Sequence, residues 1–335
     1  MPPKAPKITV HLNAYSVYRV WSLGESVPDR ISRSFPNVRV VQSRDREAFL
    51  RLLPEANVLY TWSLPRRHFA RARQLKWVHT PESGVESLLF PELVKSPVQL
   101  TNSRGISDDS IADHAMALVY SLSRRLAECR DAQRQRIWAR DLLWSGDRVP
   151  FALAGRTLLI VGLGTSGAAL ARRARAAGMP VIGVRRRMDQ PPIPEVDEMH
   201  PIDELECLLP RADVVVLALP ATPATRGILN ASRMARLKPG MLLVNIGRGS
   251  LVDETALAEA LASGRVGGAA LDVCAEEPLP REHPFWGHPR VVVTPHVAGT
   301  DPSHMDRATE LFEKNLARFL DGQPLDNLVD KGAGY

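Results

Sequence analysis

The chain has 335 residues, 44% hydrophobic and 24% charged, with a formal net charge of +6. That is long enough for two domains with sizeable cores, and no apolar run approaches the roughly 18 residues of a membrane span. The opening MPPKAPKITVHL lacks the apolar core of a secretory signal, and Cys129, Cys207 and Cys274 show neither disulfide nor metal-ligand spacing.

A cytoplasmic protein without a metal site is therefore expected. The basic residues are dispersed over ARARQLK, SRRL, RQRIWAR, ARRARAA and VRRRM. No nucleic-acid module gathers them, so nucleic acid is set aside as a partner and anionic small molecules are favoured.

From the N-terminus, ITVHL, VRVV, VLYT, KWVHT and VQLTN read as short strands. RDREAFLRLLPEA lies between two of them with helical periodicity. From Ser107 the segment SDDSIADHAMALVYSLSRRLAECRDAQRQRIW keeps that periodicity as one long helix, opening on capping Ser and Asp residues. After a Pro- and Gly-containing stretch, TLLIVGLG, PVIGVRR, ADVVVLALP, MLLVNIG, GAALDV and RVVVTPHV form a second series of compact apolar runs. Such runs suit parallel strands buried on both faces, and helical stretches separate most of them. PSHMDRATELFEKNLARFLDG predicts a last helix. The alternation predicts an α/β protein with two doubly wound parallel-sheet domains, one mainly from residues 1–102 and one near 103–297. Periodicity leaves open which of them takes the segment 298–335.

Thr157–Val161 runs into Gly162-Leu163-Gly164-Thr165-Ser166-Gly167 and then an alanine-rich helix. This is the dinucleotide fingerprint in its strand–turn–helix context. Gly162 permits the turn and Gly164 lets the backbone approach a pyrophosphate, while Gly167 allows close helix–strand packing. Thr165 and Ser166 stand at the helix N-terminus, where free N–H groups and the helix dipole attract phosphate. The next strand ends in Arg185, Arg186 and Arg187, where an NAD site would place an acidic residue for the ribose 2′-OH. Guanidinium groups there suit a 2′-phosphate. NADP(H) is therefore preferred, with NAD(H) possible, and Arg185 and Arg186 are the better candidates.

Three further strand ends carry ionisable residues: Arg248 after MLLV, Asp272 and Glu277 after GAAL, and His296 after RVVV. Ligands of open α/β sheets bind outside the carboxyl ends of strands, so these loops can share one crevice. Each residue alone has an ordinary structural reading, as a solvated arginine, a loop acid or a strand-end histidine.

The motifs GLGTSG, LALPATPATRGILN, LVNIGRGSLVDETAL, ALDVCAEEPLP and VVVTPHVAG, in this order, resemble the D-isomer-specific 2-hydroxyacid dehydrogenase family. SGVESLLFPEL and TNSRGISDDSIADHAMAL extend the likeness upstream. The resemblance implies a Rossmann cofactor domain inserted in a flavodoxin-like substrate domain, the latter combining the N-terminal segment with the last helix, and homodimers. It further implies that Arg248, Glu277 and His296 are catalytic. His296 would transfer a proton near neutral pH, Glu277 would orient it, and Arg248 would bind the carboxylate of a small 2-ketoacid or 2-hydroxyacid such as glyoxylate or hydroxypyruvate. The loop Ser83, Gly84, Val85 would present N–H groups to that carboxylate, although family members often carry Asp where Glu86 stands here. Asp272 would meet the nicotinamide carboxamide, and Leu219, Pro220, Thr225, Ile246 and Gly247 would line the cofactor. His114, His283, His288, Trp62, Trp138, Trp144 and Trp286 are expected to be structural. Two alternatives stay open: a phosphoglycerate dehydrogenase, for whose extra regulatory domain the sequence after His296 is too short, and a non-catalytic NAD(P)H-sensing protein related to corepressors.

Overall fold

A computed structural model describes residues 8–145 and 148–334. The chain divides into two compact units, Met1–Ser107 with Thr300–Tyr335, and Asp108–Gly299. In the first unit, strands β1 (Ile8–Asn13), β2 (Val38–Gln42), β3 (Val58–Thr61), β4 (Trp77–His79) and β5 (Gln99–Thr101) form a parallel sheet in the order β2-β1-β3-β4-β5. This is the flavodoxin-like order. The helix Arg46–Leu52 starts where Asp45 accepts the Ala48 N–H at 2.8 Å, an ordinary side-chain cap.

The last helix, His304–Leu320, packs on this sheet through Met305, Phe312 and Leu316. Phe312 is fully buried and stacks on Tyr60 and Trp77, with centroids 4.6 and 5.2 Å away. Offset aromatic pairs of this kind add to the stabilisation from buried area.

In the second unit, β6 (Leu158–Val161), β7 (Val181–Arg185), β8 (Glu198–Pro201), β9 (Val214–Leu217), β10 (Met241–Asn245), β11 (Val266–Leu271) and β12 (Val291–Val293) form a parallel sheet ordered β12-β11-β10-β9-β6-β7-β8. The order reverses between β6 and β9, the switch point at which such sheets bind dinucleotides. Core residues line both faces of this sheet, which is why its strands read as continuous apolar runs.

Two features depart from the periodicity. The predicted long helix is broken into Asp108–Ser123 and Leu126–Arg134, and a further short helix, Arg140–Ser145, follows it. Arg125 takes φ +55° at the break, and its guanidinium donates to Glu128 and to the Arg148 carbonyl. Strand β8 has the sequence EMHP, an edge strand half-buried along its length and so without a clear alternation. No helix among the described residues is long and apolar enough to cross a membrane.

Phe312→Ala should cost about 3–5 kcal/mol in urea unfolding, the usual range for deleting a buried ring. A loss under about 1 kcal/mol would show that the last helix does not hold the first sheet together.

Candidate active site

The glycine turn follows β6 as the fingerprint predicts. Gly162 has φ +110°, and a Cβ there would lie 2.6 Å from the Ala218 carbonyl oxygen, so only glycine fits. A Cβ at Gly164 would meet nothing within 4 Å, which leaves the turn open to a close ligand. The helix Thr165–Ala176 begins after Gly164 with no side-chain cap, so its first N–H groups are available to a phosphate. These features fit a dinucleotide. The Ser166 hydroxyl, however, donates to Asp108 at 2.5 Å.

Arg185 requires a correction. It is the buried last residue of β7, and its guanidinium donates to the carbonyls of Gln190 (2.5 Å) and Pro191 (3.1 Å). The side chain is occupied in holding the following loop, whereas Arg186 and Arg187 are exposed. Thr225 is likewise turned inward, its hydroxyl donating to the Pro220 carbonyl at 2.7 Å and accepting the Thr222 N–H at 2.8 Å. Leu219 is a core residue, and its backbone lies against Gly247.

Glu277 and His296 meet directly: Glu277 Oε2 lies 2.7 Å from His296 Nδ1. The other carboxylate oxygen of Glu277 accepts the Cys274 N–H at 3.1 Å, which fixes its rotation. With Nδ1 engaged by Glu277, Nε2 is the ring nitrogen left for a further partner. Arg248 stands at the end of β10, next to β11, whose following loop carries Glu277. Asn245 closes its turn, accepting the Gly247 N–H (3.1 Å) and donating to the Arg248 carbonyl (2.9 Å). Gly249 makes the approach of the two loops possible, because a Cβ there would fall 1.9 Å from the Cys274 carbonyl carbon.

His296 has φ +54°, a left-handed conformation that costs a non-glycine residue about 1–3 kcal/mol. Asp272 holds it there. The Asp272 carbonyl accepts the His296 N–H at 2.8 Å, and its carboxylate accepts from the Thr294 hydroxyl (2.6 Å) and from the Val297 and Ala298 N–H groups (3.0 Å each). Burial alone would raise the Asp272 pKa, but hydrogen bonds from His114, Thr294, Val297 and Ala298 outweigh it and hold the carboxyl below its usual range. The Asp272 side chain, expected to meet a nicotinamide carboxamide, is 1% exposed and accepts from the loop on both oxygens.

In the first unit, Ser83 is exposed, and its carbonyl accepts from Asn102 Nδ2 at 2.6 Å. Gly84 is half-buried, and Val85 is a buried core residue. The tryptophans correct another expectation: Trp138, Trp144 and Trp286 are exposed rather than packed, and Trp62 is half-buried edge-to-face with Trp21. Sequence reasoning missed Asn245, Thr294 and His114 as partners of these loops; for Asn245 and Thr294 a polar residue at a strand end was the available signal, whereas His114 lies within a helix.

Residues 116–298 match the family described as D-isomer specific 2-hydroxyacid dehydrogenase, NAD binding domain. A glyoxylate reductase of Thermofilum pendens is 31% identical over 86% of this chain and 82% of its own length. A D-3-phosphoglycerate dehydrogenase of Mycobacterium leprae is 34% identical over 89% of this chain, which spans only 55% of that relative. The solved NADPH-dependent glyoxylate/hydroxypyruvate reductase of Sinorhizobium meliloti, in complex with NADP and sulfate, superposes with a TM-score of 0.81 at 30% identity, covering 98% of this chain and 100% of that one. The chain belongs to the D-isomer-specific 2-hydroxyacid dehydrogenases. It is an oxidoreductase with a domain for a nicotinamide dinucleotide.

Asp272→Asn should lower stability at neutral pH by about 1–3 kcal/mol, the range for a lost charge-assisted hydrogen-bond set. Because folding depresses the Asp272 pKa, its contribution is complete above the unfolded carboxylate pKa of about 3.9 and disappears as pH falls through the folded value. Urea unfolding from pH 7 to pH 2 should therefore show the variant and wild type converging in acid. A gap that stays constant with pH would contradict this account.

Proposed function

We propose that this enzyme reduces a small 2-ketoacid, such as glyoxylate or hydroxypyruvate, to the D-2-hydroxyacid, with NADPH as the preferred reductant. The observation that carries the reading is the Glu277–His296 pair at 2.7 Å, in the loops that follow adjacent strands β11 and β12, with Arg248 after neighbouring β10. The names of the Thermofilum pendens and Sinorhizobium meliloti relatives support the substrate class.

A reduced nicotinamide, when bound, supplies the hydride to C2. His296 delivers the proton to the carbonyl oxygen from Nε2 and takes it back in the oxidative direction. Glu277 fixes the ring through Nδ1 and offsets the charge of the imidazolium. Arg248 binds the substrate carboxylate and polarises the ketone, because a guanidinium matches both oxygens of a carboxylate. In the first unit, backbone N–H groups of the Ser83-Gly84-Val85 loop are proposed as donors to a substrate carboxylate.

Preference for NADPH rests on the sequence after β7, where three arginines replace the acidic residue of an NAD site. With Arg185 occupied by backbone carbonyls, the 2′-phosphate is assigned to Arg186, with Arg187 beside it. A homodimer is supported by an exposed apolar surface at Ile137, Trp138, Leu142 and Trp144, where Trp138 is 87% and Trp144 66% exposed. Large apolar side chains exposed within one short stretch of sequence suit an association surface, and sedimentation at twice the monomer mass is the expected result.

One cofactor-oxidation assay tests the chemistry, with glyoxylate, hydroxypyruvate, pyruvate and phosphohydroxypyruvate run against NADPH and NADH in parallel. Turnover should be faster with NADPH on the two small ketoacids. His296→Ala should reduce kcat by about 10²–10⁴-fold while NADPH still binds. Arg186→Asp should lower the NADPH-to-NADH ratio of kcat/KM by about tenfold or more, as a carboxylate repels the 2′-phosphate. Tight NADPH binding without turnover of any ketoacid would instead mark a sensing protein. Preferential turnover of phosphohydroxypyruvate would move the assignment to the phosphoglycerate dehydrogenases.

A further inference from the structure

His114 was expected to be structural, yet it reaches the hydrogen bonds that shape the catalytic loop. It stands on the helix Asp108–Ser123, whose Ala112, Ala115, Met116 and Val119 are buried in the second unit's core. Arg173 of the neighbouring helix ties the same turns through Asp109 and Asp113. His114 Nε2 lies 3.0 Å from Thr294 Oγ1 and 3.3 Å from Asp272 Oδ1.

The donor order in this cluster is determined by the acceptor at its end. Ionised Asp272 can only accept, so the Thr294 hydroxyl gives its proton to Oδ1 at 2.6 Å. The Thr294 oxygen is then an acceptor, and His114 must present Nε2–H to it. The sequence of donors runs from a helix fixed in the core, through Thr294, to the carboxylate that binds the Val297 and Ala298 N–H groups. His296, with its left-handed backbone, sits between Thr294 and Val297.

We propose that His114 is a positioning residue for the reaction, holding the 294–298 loop so that His296 keeps its orientation toward substrate. Its ring nitrogen meets Thr294 and Asp272, and it acts on His296 through them. The proposal rests on His296 being the proton donor, as assigned above.

Three single variants and one double variant test it. His114→Leu removes the donor with little change in volume, and His114→Gln restores an N–H at a similar reach. Thr294→Val deletes the hydroxyl between His114 and Asp272 while keeping the shape. His114→Leu should lower kcat on glyoxylate by about 10–100-fold, the scale of a small misplacement of a reacting group. KM should stay within about threefold and the Kd for NADPH should hold, since neither ligand loses a contact. Amide hydrogen exchange at Val297 and Ala298 should accelerate by about tenfold or more. His114→Gln should recover most of both effects. Thr294→Val should reproduce them, and the double variant should be no worse than either single one, the mark of one coupled network.

Wild-type exchange at Val297 and Ala298 in both His114→Leu and Thr294→Val would overturn the proposal, as would a His114→Gln variant as impaired as His114→Leu. If His114→Leu fails to fold, Thr294→Val carries the same measurements. The exchange readout needs no substrate. An enzyme that turns over no ketoacid would therefore refute the assigned reaction while this test of the loop still stands.

Discussion

Asp272 is a charge taken out of water beside a loop that must hold an unfavourable backbone. Burial alone would favour its neutral form. Donors from Thr294, Val297 and Ala298 keep it ionised, and each charge-assisted bond contributes about 1.5–3 kcal/mol. That set offsets the roughly 1–3 kcal/mol of a left-handed His296. The position of the imidazole is thus determined by a group that does not touch it, because side chains follow the backbone that carries them. Glu277 then selects the ring orientation within the space the loop allows.

The second sheet explains why these residues come together. Its strands are all parallel, so every strand points its carboxyl end the same way and the loops that follow β10, β11 and β12 are neighbours by construction. Parallel pairing also buries both faces, which leaves the loops as the places where polar chemistry is tolerated. Gly249 is the detail that lets two such loops pack against each other, because any side chain would occupy the space of the Cys274 carbonyl. In the first unit the same rule operates on a smaller scale. Val85 anchors its loop in the core while Asn102 holds the Ser83 carbonyl.

Much of this architecture was legible in the sequence. Eleven strands were marked by compact apolar runs, and the glycine turn, the strand-end Arg248, Glu277 and His296 stood at their expected places in the topology. The failures share one physical cause, which is that sequence pattern reports burial better than direction. Arg185 was assigned to a phosphate because charge at a strand end suggests a ligand, yet its guanidinium turns to the carbonyls of Gln190 and Pro191. Trp138 and Trp144 were taken as core because tryptophan usually is, yet both lie on the surface. The helix break at Arg125 was hidden because apolar spacing continues through it, and β8 was hidden because an edge strand need not alternate. Thr294 and His114 both lie within the family-like motifs, yet their pairing across 180 positions of sequence could not be read from them.

The inward turn of Arg185 has a consequence for how coenzyme choice is encoded. Its guanidinium joins the end of β7 to residues 190 and 191, so the residues between are a short arc held at both ends. The arc can change its side chains without altering the anchors or the loops that carry Arg248, Glu277 and His296. Under the proposed assignment of the 2′-phosphate to Arg186 and of proton transfer to His296, coenzyme preference and proton chemistry would be inherited as separate modules, and a lineage of such enzymes could exchange one reductant for another while its reaction stayed the same.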